Sequence, residues 1–332
     1  MRAAPRGRIA GSIRRSARGL LVILCHHMTL EKHIEFQLQE FAAKSEFTSR
    51  GGIVTDLDGT AIHEDQGRIH IPQSVTQGLR SLLERGRPFI LNTLRFPLSV
   101  LRTFGRDWYA IANAPIPCVC LNGSISGYVL ATRRDELAFQ EIEAHPLESG
   151  EIAETLAGVE AALDQGLKEM LVFYYPRDWR IGEVIWTPLP ERILPVKKKF
   201  TSASAVTAVE LEKLREQMLS EPICMIVLLI DVARDRLMAY QHSRRINFLT
   251  HKGVDKLFGS QRMASHLGIE MQDSVGAGDT EMDRFLGGVG LAVQVGTVDL
   301  EFKGVYQTIK LRNSFELGKL LFRLANLRHS AA

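Results

Sequence analysis

The chain has few cysteines, no long apolar run and no large excess of charge of one sign. Four cysteines among 332 residues are too few for a disulfide framework in a chain of this size. No Cys/His spacing matches a zinc site, and no apolar stretch is long enough to cross a membrane. We therefore expect a cytoplasmic protein with buried thiols and no membrane partner.

The net charge of +3 comes from the N-terminal segment rather than from the body of the chain. Six arginines precede the first acidic residue, Glu31, so the remainder carries a small negative net charge. They are Arg2, Arg6, Arg8, Arg14, Arg15 and Arg18. A basic surface is therefore not expected in the body of the protein, and we predict no nucleic-acid partner.

Residues 1–50 are interpreted as a partly disordered leader followed by a helix. The Arg, Ala and Ser mixture could be a targeting peptide, but its apolar run, Leu20 to Leu24, is short for a secretory signal. We expect translation to start at Met28. The apolar residues of the predicted helix face are Leu30, Ile34, Leu38 and Phe41.

The most informative stretch is Asp56-Leu57-Asp58-Gly59-Thr60, which places two carboxylates where the apolar run Gly52-Ile53-Val54 ends. Such a run suits a buried strand of a parallel sheet, and ligands of open α/β sheets bind beyond the carboxyl ends of these strands. This arrangement suits phosphoryl transfer through an aspartyl intermediate. The alternative is that Asp58-Gly59 is only a hairpin turn.

A second buried strand, Pro88 to Leu91, follows a helix predicted from about Pro72 to Glu84. It ends at Asn92-Thr93-Leu94-Arg95. Thr93 could donate a hydrogen bond to a phosphoryl oxygen, or it could be an ordinary β-branched strand residue.

A cation could come from Thr250-His251-Lys252-Gly253, which opens a predicted helix. Lys252 at the helix start could neutralise a phosphate, with help from the positive end of the helix. Lys256 is a competing candidate.

Further carboxylates follow a short strand in the segment Asp273 to Asp283. Asp279 and Asp283 are four residues apart and could share one face of a helical turn. Carboxylates with few other ligands suit Mg²⁺, which keeps several waters. The alternative is that Asp279-Thr280 only caps the following helix.

Together these segments resemble the motifs of the haloacid dehalogenase (HAD) superfamily of phosphatases. The four matching segments are Asp56 to Thr60, Thr93, Lys252-Gly253, and Gly278-Asp279 with Asp283. Their order and spacing are most similar to the subgroup of trehalose-phosphate, sucrose-phosphate and mannosylglycerate-phosphate phosphatases. The chain departs from the family pattern at Leu94, where many members have Gly, and at Thr280, where many have Asn.

The resemblance implies an α/β fold with a Rossmann-like parallel-sheet core and an inserted α+β cap. The core is expected to cover residues 51–131 and 245–332, and the cap residues 132–244. Within the cap, helices are predicted at Ile152 to Leu167 and Val206 to Met218, and strands at Met170 to Tyr175, Glu183 to Trp186 and Cys224 to Asp231.

The resemblance also implies site roles. The implied catalytic residues are Asp56 as nucleophile, Asp58 as general acid and base, and Thr93 and Lys252 as phosphate ligands. The implied substrate contacts are Gly59, Thr60, Arg95 and Asn122, the last in the Asn-Gly turn after a third strand. The implied Mg²⁺ ligands are Asp56, Asp58 through its carbonyl, Asp279, and Asp283 directly or through another ligand.

The predicted function is a Mg²⁺-dependent phosphatase that hydrolyses a sugar phosphate or a small polyol phosphate. The alternatives are a phosphomannomutase-like phosphotransferase and a non-catalytic protein that binds a phosphorylated ligand. Sugar contacts in the cap could come from Tyr174, Tyr175, Arg177, Trp179 and Trp186, or these residues could be cap core. The run Lys197 to Lys199 could attract an anionic substrate or be a solvated edge.

Overall fold

The computed structural model describes residues 30–65, 68–132, 136–229, 247–302 and 307–327. The predicted leader, with the start expected at Met28, lies outside the described residues. The predicted helix that follows it is confirmed by α1 (Lys32–Lys44), which buries Ile34, Leu38 and Phe41. No helix in the described part of the chain is both long and apolar enough to span a bilayer.

The described strands form an eight-stranded sheet, a five-stranded sheet and a two-stranded hairpin. The strands are β1 (Ile53–Thr55), β2 (His63–Asp65), β3 (Arg68–His70), β4 (Phe89–Asn92), β5 (Ile116–Cys120), β6 (Ile125–Ala131), β7 (Leu137–Ala144), β8 (Leu171–Pro176), β9 (Glu183–Trp186), β10 (Ala203–Thr207), β11 (Ile223–Leu229), β12 (Asn247–Leu249), β13 (Val275–Gly278), β14 (Leu291–Val295) and β15 (Thr308–Leu311).

The remaining helices lie between groups of these strands or after the last strand. They are α2 (Phe47–Arg50), α3 (Gln73–Leu83), α4 (Pro97–Val100), α5 (Arg106–Ala112), α6 (Ser149–Asp164), α7 (Ile193–Lys199), α8 (Leu211–Ser220), α9 (Lys256–Leu267) and α10 (Ser314–Ala325). The helix predicted from about Pro72 is confirmed by α3, and the one predicted from Val206 begins only at Leu211 because β10 precedes it.

The larger sheet has the strand order β15-β14-β13-β1-β4-β5-β6-β7, in which the strands from β15 to β5 are parallel. The central strand β1 pairs Ile53 with Phe89 on β4 and with Val275 on β13. All three residues of β1 are buried because helices cover both faces of the sheet. The predicted α/β class is confirmed.

Neighbouring residues of β1 point into different helix layers, as expected for a strand. Ile53 packs in the cluster that includes residues of α3 and α10, whereas Val54 packs with Met263 and Ala264 of α9. The helices α3 and α10 meet at Gly78, where an added Cβ would lie 2.6 Å from Cβ of Leu321. The sheet is thus the middle of three layers.

The smaller sheet has the order β10-β9-β8-β11-β12 and is mostly antiparallel. One face packs against α6 and α8, with Tyr174 and Trp186 among its buried residues. The opposite face, which includes Tyr175, Met225 and Val227, packs towards the carboxyl edge of the larger sheet. This unit is the α+β cap that the sequence predicts.

The first boundary of the cap differs from the prediction. The strand β7 (Leu137–Ala144) pairs with β6 in the larger sheet, although residues 132–144 were assigned to the cap. On the return, β12 pairs with β11 in the smaller sheet, so the cap extends to Leu249. The predicted boundary at 244/245 lies outside the described residues. The misassignment of β7 to the cap has a simple cause. This strand is only partly buried, and a strand of a cap sheet would show the same pattern.

Two connecting segments that join the sheets meet at one carboxylate. Glu151 lies in the first turn of α6, where it accepts the backbone N–H of Glu148. Its Oε1 also accepts the backbone N–H of Lys252 at 2.9 Å, and its Oε2 lies 3.0 Å from Nδ1 of His251. Glu151 therefore fixes the return segment of the cap against the outgoing one.

Candidate active site

Asp56 is held at the carboxyl end of the central strand β1. Its backbone N–H donates to the carbonyl of Ala277 on β13 at 2.9 Å, which continues the parallel ladder by one residue. The side chain is only 5% exposed, and its Oδ1 accepts a hydrogen bond from Nζ of Lys256 at 2.7 Å. The predicted nucleophile is thus a buried carboxylate with an ammonium partner.

Gly59 allows the chain to turn sharply after Asp56. Its φ of +81° is in the left-handed region, and an added Cβ would lie 2.2 Å from Oδ2 of Asp279. The next residue, Thr60, is buried and donates from its hydroxyl to Oδ1 of Asp279 at 3.1 Å. Gly59 and Thr60 thus lie against the Asp279 carboxylate, and their contact with a substrate stays a prediction.

Asp283 folds back onto the turn that follows β13, rather than sharing a helix face with Asp279. Its Oδ2 accepts the backbone N–H groups of Asp279 and Thr280, both at 2.9 Å. Its Oδ1 accepts from Nζ of Lys256 at 2.6 Å, and the residue is fully buried. Asp283 thereby holds both the turn and the lysine.

The cation of this site is Lys256, and the prediction of Lys252 is wrong. The helix α9 begins at Lys256 because Asp255 caps it by accepting the N–H of Phe258 at 2.9 Å. Lys252 lies in the preceding segment, where its side chain is exposed and its backbone N–H donates to Glu151. Lys256, by contrast, is 2% exposed.

The cluster contains more carboxylates than cations, and this imbalance shifts the pKa values of its members. Burial raises the pKa of Asp56 well above its ordinary value, against the attraction of Lys256, and nearby carboxylates raise it further. Burial and the charge of Asp283 raise the pKa of Asp279 to about 6. Although burial lowers it, the pKa of Lys256 is raised by Asp283 and Asp56, so this lysine stays charged.

This arrangement fits a divalent cation. Asp56, Asp279 and Asp283 each offer one oxygen, and these oxygens lie within 4.8 Å of one another. Hard carboxylate ligands suit such an ion, and its charge would offset the excess of carboxylates. Because both oxygens of Asp283 already accept hydrogen bonds, Asp56 and Asp279 are the better placed direct ligands.

Asp58 lies in a more open environment than Asp56. Its side chain is 33% exposed and forms a two-bond ion pair with Arg95, which follows β4. Thr93 accepts the N–H of Arg95 at 3.1 Å through its own hydroxyl oxygen, so its hydroxyl hydrogen remains able to donate into the crevice. Asp58, Thr93 and Arg95 all line the crevice, and their catalytic and binding roles stay predictions.

Asn122 is not among the described residues that line the crevice, and its contact with a substrate stays a prediction. It is buried, with a φ of +57°, in the turn after β5. Its backbone N–H faces the carbonyl of Thr93 at 3.4 Å. Asn122 therefore contacts the backbone of Thr93 from within the protein.

The crevice continues from the carboxylates to the inner face of the smaller sheet. The described residues that line it on that side are Tyr175, Glu183, Ser202, Met225, Val227 and Phe248. Glu183 is buried there, and its Oε2 accepts from the Tyr175 hydroxyl at 2.6 Å while its Oε1 accepts from Oγ of Ser202 at 3.2 Å. Sequence reasoning missed Glu183, since one acid at the start of a strand resembles a surface residue.

The other predicted cap contacts point elsewhere. Tyr174 and Trp186 are buried against α6 and α8, on the far face of the smaller sheet. Arg177 pairs with Glu141, and Trp179 packs on Phe139. Among the predicted cap aromatics, the described crevice contains Tyr175 alone.

No protein-family model and no curated protein matches the chain. Solved structures do match it in three dimensions. A HAD-superfamily phosphatase from Bacteroides thetaiotaomicron is 15% identical, with a TM-score of 0.58 over 85% of this chain and 97% of that one. A HAD subclass IIB sugar phosphatase is also 15% identical, with a TM-score of 0.58 over 83% and 98%. A HAD/COF-like hydrolase from Plasmodium vivax is 14% identical, with a TM-score of 0.61 over 87% and 99%.

Proposed function

We propose that this chain, which has the fold of the HAD superfamily phosphatases, is a Mg²⁺-dependent phosphatase. Its substrate would be a sugar phosphate or a small polyol phosphate, and a cytoplasmic location stays a prediction. The observation that carries the proposal is the placement of Asp56 at the end of β1, beside Lys256 and within reach of Asp279. The sugar phosphatase of similar fold supports the substrate class.

In the proposed reaction a carboxylate oxygen of Asp56 attacks phosphorus and displaces the sugar or polyol alkoxide. Asp58 gives its proton to that alkoxide and later takes a proton from water, which attacks phosphorus and restores the Asp56 carboxylate. Its partial exposure leaves Asp58 accessible to both the leaving group and the water. The two aspartates thus have different environments, as their different roles require.

The remaining groups hold charge and position. Lys256 favours the ionised form of Asp56 and so opposes the effect of burial, and the hydroxyl of Thr93 can donate to a phosphoryl oxygen. Mg²⁺, held by Asp56, Asp279 and the Asp58 carbonyl with Asp283 in support, would neutralise charge on the transferring phosphoryl group. Positioning and charge stabilisation supply most of the catalysis in this reaction class.

The test measures inorganic phosphate released from a panel of sugar and polyol monophosphates, with Mg²⁺ and with excess chelator. We expect release with Mg²⁺ for at least one substrate, and a loss of at least about 10³-fold in Asp56→Asn with the fold retained. Glu221→Gln, outside the crevice, serves as the matched acid-to-amide control. Phosphate transfer between positions without release would favour the mutase alternative, and binding without turnover would favour the non-catalytic one.

A further inference from the structure

The crevice has two walls of different chemistry. The wall of the larger sheet carries the carboxylate cluster, Lys256 and Arg95, whereas the described wall of the smaller sheet is mainly apolar. Met225, Val227 and Phe248 contribute this apolar surface. A leaving group held between the walls could pack its carbon atoms on these three side chains.

Glu183 is the one charged residue among the described residues of the smaller-sheet wall. It is 3% exposed, and the hydroxyls of Tyr175 and Ser202 bind one oxygen each. A carboxylate accepts about four hydrogen bonds, so both oxygens retain acceptor capacity. Burial raises the pKa of Glu183, against these two hydroxyls, because the charged form is less well solvated in the folded protein than in water.

The cations that line the described crevice are already paired. Lys256 binds Asp56 and Asp283, and the guanidinium of Arg95 binds Asp58. The run Lys197 to Lys199, a possible attractor of anions by sequence, lies in α7 and does not line the crevice. A second anionic group on the leaving group would therefore face Glu183 without a cation from the described walls.

We propose that Glu183 selects the leaving group, an inference that rests on the proposed phosphatase function. The leaving group donates a hydrogen bond from a hydroxyl or an ammonium group to Glu183, and it carries no second phosphate or carboxylate. Its carbon face packs on Met225, Val227 and Phe248. The substrates are thus monophosphates of neutral or amino sugars or polyols, and sugar bisphosphates and phosphorylated sugar acids are rejected.

The selectivity of the unmodified protein is the first test, and it needs no variant. The substrates are a hexose 6-phosphate, its 2-amino analogue, the 1,6-bisphosphate and the 6-phosphorylated aldonic acid. We expect kcat/KM for the better of the first two substrates to exceed that of either anionic analogue at least about tenfold. The reason is that the second anionic group of the analogue would face the negative charge of Glu183. Comparing kcat/KM for the hexose 6-phosphate with that for its 2-amino analogue shows whether Glu183 prefers a hydroxyl or an ammonium donor.

The second test uses Glu183→Gln, which keeps the size of the side chain and removes its charge. We expect the ratio of kcat/KM between favoured and anionic substrates to fall at least about tenfold, with kcat/KM for the anionic substrates rising. Glu221→Gln removes a carboxylate outside the crevice and should keep the wild-type ratio. Thermal unfolding of both variants shows whether each remains folded.

The outcomes separate the two proposals. If the wild-type protein hydrolyses anionic substrates as well as neutral ones, or if Glu183→Gln slows all substrates by one factor, the selector role is refuted and the phosphatase stands. If no phosphate is released from any substrate, the proposed function fails, and the role of Glu183 fails with it.

Discussion

Arg95 binds both carboxylate oxygens of Asp58, with Nε 2.7 Å from Oδ2 and Nη2 2.7 Å from Oδ1. The guanidinium is itself held, because it lies 4.8 Å from the ring centroid of Phe104 and donates to Ser99. Such a two-bond pair fixes the orientation of the carboxylate as well as its charge. In the proposed reaction one of these bonds must open when Asp58 exchanges its proton.

Arg95→Gln is expected to lower kcat by about 10- to 100-fold, because Asp58 loses the partner that orients it towards the leaving group. Arg102→Gln, an exposed arginine of the following helical turn, is the control and should retain wild-type kcat. Steady-state phosphate release measures both. A kcat for Arg95→Gln equal to that of the control would show that the pair has no part in turnover.

Lys256→Met is expected to lower the free energy of unfolding by about 3–5 kcal/mol, because Asp56 and Asp283 are left buried without their cation. Phosphate release should be lost as well. Lys252→Met, at an exposed position, should change the free energy of unfolding by less than about 0.5 kcal/mol and retain activity. Denaturant unfolding and phosphate assays on both variants make the comparison, and equal effects would contradict the structural assignment.

Mg²⁺ is expected to stabilise the protein, because it would offset the carboxylates of Asp56, Asp279 and Asp283. An ion that binds only the folded state stabilises it by about 2.7 kcal/mol at a concentration 100 times its Kd. Asp279→Asn should lose most of the Mg²⁺-dependent rise in Tm, while Asp299→Asn, at an exposed ion pair, should keep it. Calorimetric scans with Mg²⁺ and with chelator provide the measurement; a rise in Asp279→Asn as large as in the wild type would argue against this ligand.

Glu183 should make stability depend on pH. Burial raises the pKa of Glu183 in the folded state, so folding favours the protonated form. The stability that this form contributes is fully present below the unfolded pKa and is lost as pH rises through the folded pKa. We expect Glu183→Gln to increase the free energy of unfolding at pH 8, with a smaller gain at pH 5. Denaturant unfolding at both values tests this, and an equal gain at both would show that the charge of Glu183 has no share in the effect.

The sheet and the cluster of aspartates follow from local patterns in the sequence. Buried parallel strands are continuous apolar runs, and Ile53-Val54 ends directly at Asp56. Because parallel strands present their carboxyl ends at one edge, residues that follow different strands, such as Asp56 and Thr93, could be expected to meet. The structure has the predicted order of these elements and the predicted insertion of the smaller sheet.

The features that the sequence analysis missed depend on one residue or on tertiary packing. The start of α9 was placed near Thr250, but the signal that decides it is Asp255, whose side chain caps the helix and makes Lys256 its first residue. Whether Glu183 faces the crevice depends on which face of the smaller sheet packs towards the larger sheet. The sheet to which β7 belongs depends on its pairing with β6, which a pattern of partial burial does not specify.

The position of β1 between β4 and β13 has a consequence for synthesis of the chain on the ribosome. When β1 and β4 have emerged, β13 is still to be translated, so one edge of β1 has backbone groups without their native partner. The nascent chain at that stage also holds Asp56 without Lys256. The later part of the chain therefore supplies both the missing partner strand of β1 and the counter-charge of Asp56.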